Sequence, residues 1–243
     1  MTKSSQNFLM ILIGGAVIWI TLATGEFVNY VKPWLRYPLL GSAVLLIGLG
    51  LAGLGKDWKA PADTHDHDDH GHGHDHSRGP RIAWLLCLPI LAIFAIAPPA
   101  LGSFTASRNG TRTVTPPKTA DDALPPSTGP LPMNIGEFMG RTFETAMGGK
   151  TTLAGRKLDL LGFAEPRKGG NGWLLSRIQI SCCAADAIAL QIVVHGVPQP
   201  AKGTWVHVIG EWKPVPIDRK KTPSYELNAD SVTPTDKPNP AYE

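Results

Sequence analysis

Apolar positions are arranged in two unlike ways along this chain. Before Ser107 they form long unbroken runs; after it they alternate with polar residues between turn signals. The first run, 8–25 (FLMILIGGAVIWITLATG), carries no charge and is bounded by Asn7 and Glu26. At 1.5 Å of rise per residue, about 20 apolar residues cross the hydrocarbon core of a bilayer, and this run is just long enough. A cleaved signal peptide is the rival reading, with Lys3 as its basic start. Signal segments usually have a shorter apolar stretch, about 7 to 15 residues, and two more runs follow, so a retained helix is expected.

The second run, 37–55 (YPLLGSAVLLIGLGLAGLG), contains Gly41, Gly48, Gly50, Gly53 and Gly55. In lipid, small residues let helices approach closely, and Gly48 with Ala52 fits the small-xxx-small spacing. Tyr30, Trp34 and Tyr37 lie where an interfacial aromatic belt is expected. In the third run, 82–102 (IAWLLCLPILAIFAIAPPALG), Pro89 predicts a kink and Pro98-Pro99 an end or bend. Trp84 marks an interface, and Cys87 reads as a small buried hydrophobe. No run carries a charge, so three such helices lack the intramembrane ionisable group typical of an ion pathway. Lys3, Lys56, Lys59, Arg78 and Arg81 outnumber Lys32, Arg36, Arg108 and Arg112 across the runs. That bias places the N-terminus and the 56–81 loop in the cytoplasm and the C-terminal domain outside it.

The second half begins with a Pro-rich stretch. Residues 103–133 read as an extended tether, with the linker proper at 107–133. Asn134 and Glu137 have capping-box spacing ahead of Phe138, Met139 and Phe143, predicting a short amphipathic helix that stops near Gly148-Gly149. Strands are expected at 157–164, 173–181, 189–196, 204–212 and 224–232, with Gly169-Gly170-Asn171-Gly172 as a hairpin turn. Short strands at regular spacing suggest a small barrel. The glycine-aromatic pairs at Gly162-Phe163 and Gly210-Glu211-Trp212 suggest that it is OB-like. The expected architecture is three transmembrane helices (1–106) and a C-terminal small β-barrel (134–243).

Composition changes the picture in two places. The net charge of +3 gives no basic stripe, and the strand faces lack an aromatic and basic stacking surface, so no nucleic-acid partner is expected. No Ser-His-Asp set, phosphate loop or paired carboxylates stand out, so no enzyme is expected. The loop between the second and third runs, however, reads HDHDDHGHGHDH. His65, His67, His70, His72, His74 and His76 are six of the eight histidines, interleaved with Asp66, Asp68, Asp69 and Asp75. Imidazole and carboxylate together suit Zn²⁺, Ni²⁺, Cu²⁺ or Co²⁺. The i, i+2 spacing suits an adaptable chelator and not a helical catalytic site such as HExxH. A solvated low-complexity loop is the plainer alternative.

Cys182 and Cys183 are adjacent in SCCAADA, after the second predicted strand. Such a pair can ligate a soft metal, form a vicinal disulfide, or act in redox chemistry. Asp186, His195 and His207 are candidate co-ligands. The plainer reading is a turn in which Asp186 caps backbone amides.

The apolar runs, the His-rich loop, the Pro-rich stretch, CCAADA and GTWVHVIGEW together resemble the YcgQ-like family of bacterial permease subunits. The resemblance implies a multi-pass protein of the bacterial cell membrane. It also implies a polytopic permease as partner and, for some members, a metal-homeostasis setting. Among divalent transition metals, zinc is the first candidate for this chain. It assigns no catalytic residue. A stand-alone metal buffer or sensor, and a membrane-tethered thiol redox protein, are the alternatives.

Overall fold

A computed structural model describes residues 3–59, 101–108, 124, 129–146, 153–212 and 225–243. The chain forms two compact units, Met1–Pro99 and Ala100–Glu243.

In the first unit, helix α1 (Lys3–Ile18) continues as a π-helical turn, Trp19–Thr24, and stops at Gly25, whose φ of 67° is left-handed. Two 3-10 turns lead into α2 (Arg36–Lys59). Two segments are long and apolar enough to cross a bilayer: Ser4–Thr24, of 21 residues, and Pro33–Lys56, of 24. The third apolar run lies outside the described residues, apart from Leu101 and Gly102, as do Cys87 and the six clustered histidines.

The two helices meet through small residues, but not through the expected pair. Gly48 has open space where a Cβ would stand, and Ala52 is exposed. The contact runs instead through fully buried Ala43 and through Gly14, Gly50 and Gly53. A Cβ on Gly14 would lie 2.7 Å from Ile47 Cγ1, and one on Gly50 2.7 Å from the Asn7 carbonyl oxygen. The i, i+4 rule names a face without saying which face the partner takes. Phe8, Trp19, Leu22, Val44, Leu45, Leu49 and Leu51 point outward.

The second unit holds a closed barrel. Its strands are β1 (Leu131–Met133), β2 (Lys157–Glu165), β3 (Trp173–Gln179), β4 (Ile188–His195), β5 (Trp205–Trp212) and β6 (Glu226–Pro234). They run in the order β1-β2-β3-β4-β6-β5, and β2 also pairs with β5, which closes the five long strands into a ring. The β4–β6 and β1–β2 pairings are parallel and the rest antiparallel. The alternation in β5 shows why this sequence makes a barrel wall: Val206, Val208, Gly210 and Trp212 are buried, with Trp205, His207, Ile209 and Glu211 between them partly open.

β3 pairs with β2 only from Phe163 to Glu165. Along Leu158–Leu160 the freed edge of β2 is taken by β1, so its backbone groups stay paired. The sequence-based assignment put Leu131–Met133 in the linker. Pro132 hides the strand in the pattern, yet Pro is tolerated in an edge strand, and Leu131 and Met133 are buried in the core. Helix α4 (Ile135–Ala146) adds Ile135, Phe138 and Met139 to that core.

Helix α3 (Ser103–Arg108) precedes these strands, where an extended tether was expected. Ala106 is fully buried in a second cluster with Phe163, Ile178, Ile180, Ala241 and Tyr242, against which Leu101 also packs. The Leu101 N–H donates to the Tyr242 hydroxyl at 2.7 Å. Residues 101–108 are therefore part of the barrel unit. The remainder of the Pro-rich stretch lies outside the described residues, apart from Leu124 and residues 129–133.

Candidate metal centre

After β3 the chain makes a tight loop before β4. A 3-10 turn, Ala184–Asp186, is capped reciprocally: the Asp186 N–H donates to Cys183 Sγ, and the Cys183 N–H donates back to the Asp186 carboxylate. Asp186 Oδ1 also accepts from the Ser181 N–H at 2.8 Å, and Oδ2 from the Cys182 N–H at 2.7 Å. One carboxylate thus gathers three consecutive amides. That explains why an acidic residue stands three positions after Cys183, in the reach of an N-cap partner.

This geometry places two free thiols beside a carboxylate. Cys182 is exposed and Cys183 half-buried. Ligand atoms of Cys182, Cys183 and Asp186 all lie within 4.8 Å of one another. Two thiolates on one tetrahedral zinc, at about 2.3 Å each, sit about 3.8 Å apart, so the spacing is compatible with a shared ion. Two thiolates and a carboxylate form a donor set for Zn²⁺ and its softer neighbours.

The electrostatics without a metal are the reverse of those of a reactive cysteine. Cys182 is pushed up to about 11, first by its hydrogen bond to Asp186, then by the Cys183 thiol, burial and the adjacent negative charge. Asp186 is held down at about 2, first by the Cys182 thiol and further by the amides of Cys182, Ser181 and Cys183. Catalytic thiols have lowered pKa values; Cys182 keeps its proton at neutral pH. A divalent cation reverses that balance by replacing the proton.

His195 and His207 do not join the cluster. His195 Nε2 lies 3.2 Å from Glu226 Oε2, and His207 Nδ1 lies 2.9 Å from Asp159 Oδ1. Each is a cross-strand partner in the barrel wall. Their strand periodicity was visible in the sequence, but their neighbours come from strands distant in the chain.

Two bilayer-length apolar helices and a five-stranded barrel bearing a partly exposed dithiol-carboxylate cluster define the class of protein. Residues 8–112 match the family model described as DUF1980 N-terminal domain, and residues 132–242 match the one described as DUF1980 C-terminal domain. The two matches together cover most of the chain, which belongs to the DUF1980 family. No curated protein and no solved structure matches it.

Proposed function

We propose that this chain is a membrane-anchored, non-catalytic metal-handling protein that acts beside a polytopic permease, in line with its resemblance to YcgQ-like permease subunits. The observation that carries the reading is the cluster of Cys182, Cys183 and Asp186 with ligand atoms within 4.8 Å of one another. Three protein ligands leave one tetrahedral position open, unlike the closed four-ligand set of a structural zinc site. Zinc suits the mixed sulfur and oxygen donors.

In this reading the three apolar runs make a multi-pass anchor in a bacterial cell membrane. His65 to His76 form a high-capacity, loosely selective chelator on the cytoplasmic side, and the barrel lies on the other side. The strand order, with the third long strand parallel to the fifth, supports reading the closed barrel as OB-like. The thiol redox alternative loses ground because the Cys182 thiol is raised and not lowered.

The test is purification of the tagged full chain from native membranes in gentle detergent, with partner identification and metal analysis on one sample. A multi-span partner together with bound metal supports the proposal. Metal bound without a partner turns the chain into a stand-alone buffer or sensor. In parallel, Cys182→Ser/Cys183→Ser is expected to lose one zinc per chain while deletion of 65–76 removes the rest; unchanged stoichiometry in the double variant would overturn the barrel site.

A further inference from the structure

On the barrel unit, α3 and the turn after β2 border a cavity of about 600 Å³. Ser107, Arg108, Glu165, Arg167, Lys168 and Lys202 all line it: four cations against one carboxylate. Glu165 is buried, its side chain only 3 % exposed, and lies 3.8 Å from the Lys202 ammonium. Its Oε1 has no hydrogen-bond partner. Arg167 donates to the Asn171 carbonyl at 2.7 Å. Among the described residues, no carboxylate pairs with Arg108, Arg167 or Lys168.

Beside these cations stands an exposed aromatic. Phe104 is 70 % exposed, an unusual position for Phe on a solvated helix, and the Arg108 guanidinium lies over its ring at 5.4 Å. An apolar ring next to a cluster of cations is the pairing found where proteins meet the headgroup layer of a bilayer.

We infer that this cavity is a seat for the phosphate headgroup of an acidic phospholipid, with Phe104 dipping into the acyl boundary beside it. The inference rests on the reading of 82–102 as a span. In that reading the run ends at Gly102, directly before α3, so Ser103 would stand at the bilayer surface. Because Leu101 and Ala106 are packed onto the barrel, the cavity that α3 lines cannot drift far from that surface. A headgroup of phosphoglycerol size fits the volume, and Arg supplies forked donors to phosphate oxygens while Lys supplies a point charge. The four cations set a limit on the ligand: phosphatidylglycerol brings a net negative charge to them, whereas phosphatidylcholine brings a choline cation beside its phosphate.

Full-length protein in non-ionic detergent, titrated with short-chain phosphatidylglycerol, short-chain phosphatidylcholine or inorganic phosphate and read by native mass spectrometry, tests this. Phosphatidylglycerol is expected to bind one per chain in preference to both others. Each basic residue near an anionic lipid surface changes affinity about fivefold, so Arg108→Gln/Lys168→Gln is expected to weaken binding roughly 25-fold. Both positions are exposed, so folding is not at stake, and Arg108→Lys/Lys168→Arg is expected to restore most of the affinity. Equal binding of phosphatidylcholine, equal binding of free phosphate, or no effect of the double Gln variant would each overturn the inference. An alkaline carbonate wash of native membranes separates the two readings. A chain that washes off sinks the membrane anchor and this seat together; one that stays but shows no lipid preference sinks the seat alone.

Discussion

At the residue scale the chemistry is concentrated in Asp186. Its carboxylate orders the loop and controls the thiol next to it. Replacing it with Asn removes the carboxylate whose hydrogen bond and charge raise Cys182, so the thiol is expected to titrate below about 11, with the Cys183 thiol and burial still holding part of the rise. Alkylation rate against pH measures this; an inflection that stays near that of the unaltered protein would show that Asp186 is not the cause. Metal binding must displace the Cys182 proton, so zinc affinity is expected to rise with pH across the neutral range, with proton release detectable by calorimetry in two buffers of different ionisation enthalpy. Asp186 also links loop stability to acid. Its folded pKa, about 2, is below its ordinary 3.8. The stability it contributes is present above about 4 and is lost as pH falls toward about 2. The cap was legible in the sequence because Cys183 and Asp186 stand at N-cap spacing.

At the element scale, the helix α4 start shows the opposite case. Asn134 and Glu137 carry the capping-box spacing, yet Glu137 pairs with Arg141 at 2.8 Å, one turn along the helix. The first amides, of Ile135 and Gly136, instead donate to the Glu243 carboxylate, both at 2.9 Å. Glu243 is also 4.0 Å from buried Arg177, which stacks over Trp205 at 5.0 Å. Burial pulls the Arg177 guanidinium down and Glu243 partly restores it. Glu243→Ala is expected to lose both a helix cap and a buried counter-charge, costing roughly 3 kcal/mol in thermal or denaturant unfolding; Glu137→Ala is expected to cost under about 0.5 kcal/mol. Equal effects would show that the helix is capped locally after all.

The glycine-aromatic pairs in the strands also find their reason here. A Cβ on Gly162 would lie 2.7 Å from the Ser176 carbonyl oxygen, and one on Gly210 would strike the Asn228 carbonyl and lie 2.7 Å from Ala229 Cα. Gly210 sits where the β5–β6 register shifts, a place where glycine permits close backbone approach. Gly210→Ala is expected to lower stability by about 2 kcal/mol or more, because the atoms it meets are backbone and cannot swing aside.

At the scale of the whole molecule, the boundary between the units falls earlier than composition suggests. Proline content places the soluble domain's start at Asn134, but Leu131 and Met133 enter the barrel core and Ala106 is fully buried against it. A fragment of residues 100–243 is therefore expected to be more stable than one of 134–243. Burial of Leu131 and Met133 alone is worth on the order of 3 kcal/mol, which comparative thermal melts would resolve. Equal melting temperatures would mean that β1 and α3 merely rest on a barrel complete without them.

Local pattern by itself determined the apolar helices, the amphipathic helix α4, the five long strands, and the adjacency of two thiols with a carboxylate three residues on. Each of these depends on periodicity or on neighbours a few positions away. Only the tertiary structure decided which glycines seat α1 on α2 and which edge of β2 accepts β1. It alone showed that Glu243 caps a helix 107 residues earlier in the chain, and that Arg108 stands at one cavity with Lys168 and Lys202. Those contacts join residues far apart in sequence. Charge and apolarity along a chain state what each residue needs, while ring closure of the barrel decides which distant residue meets that need.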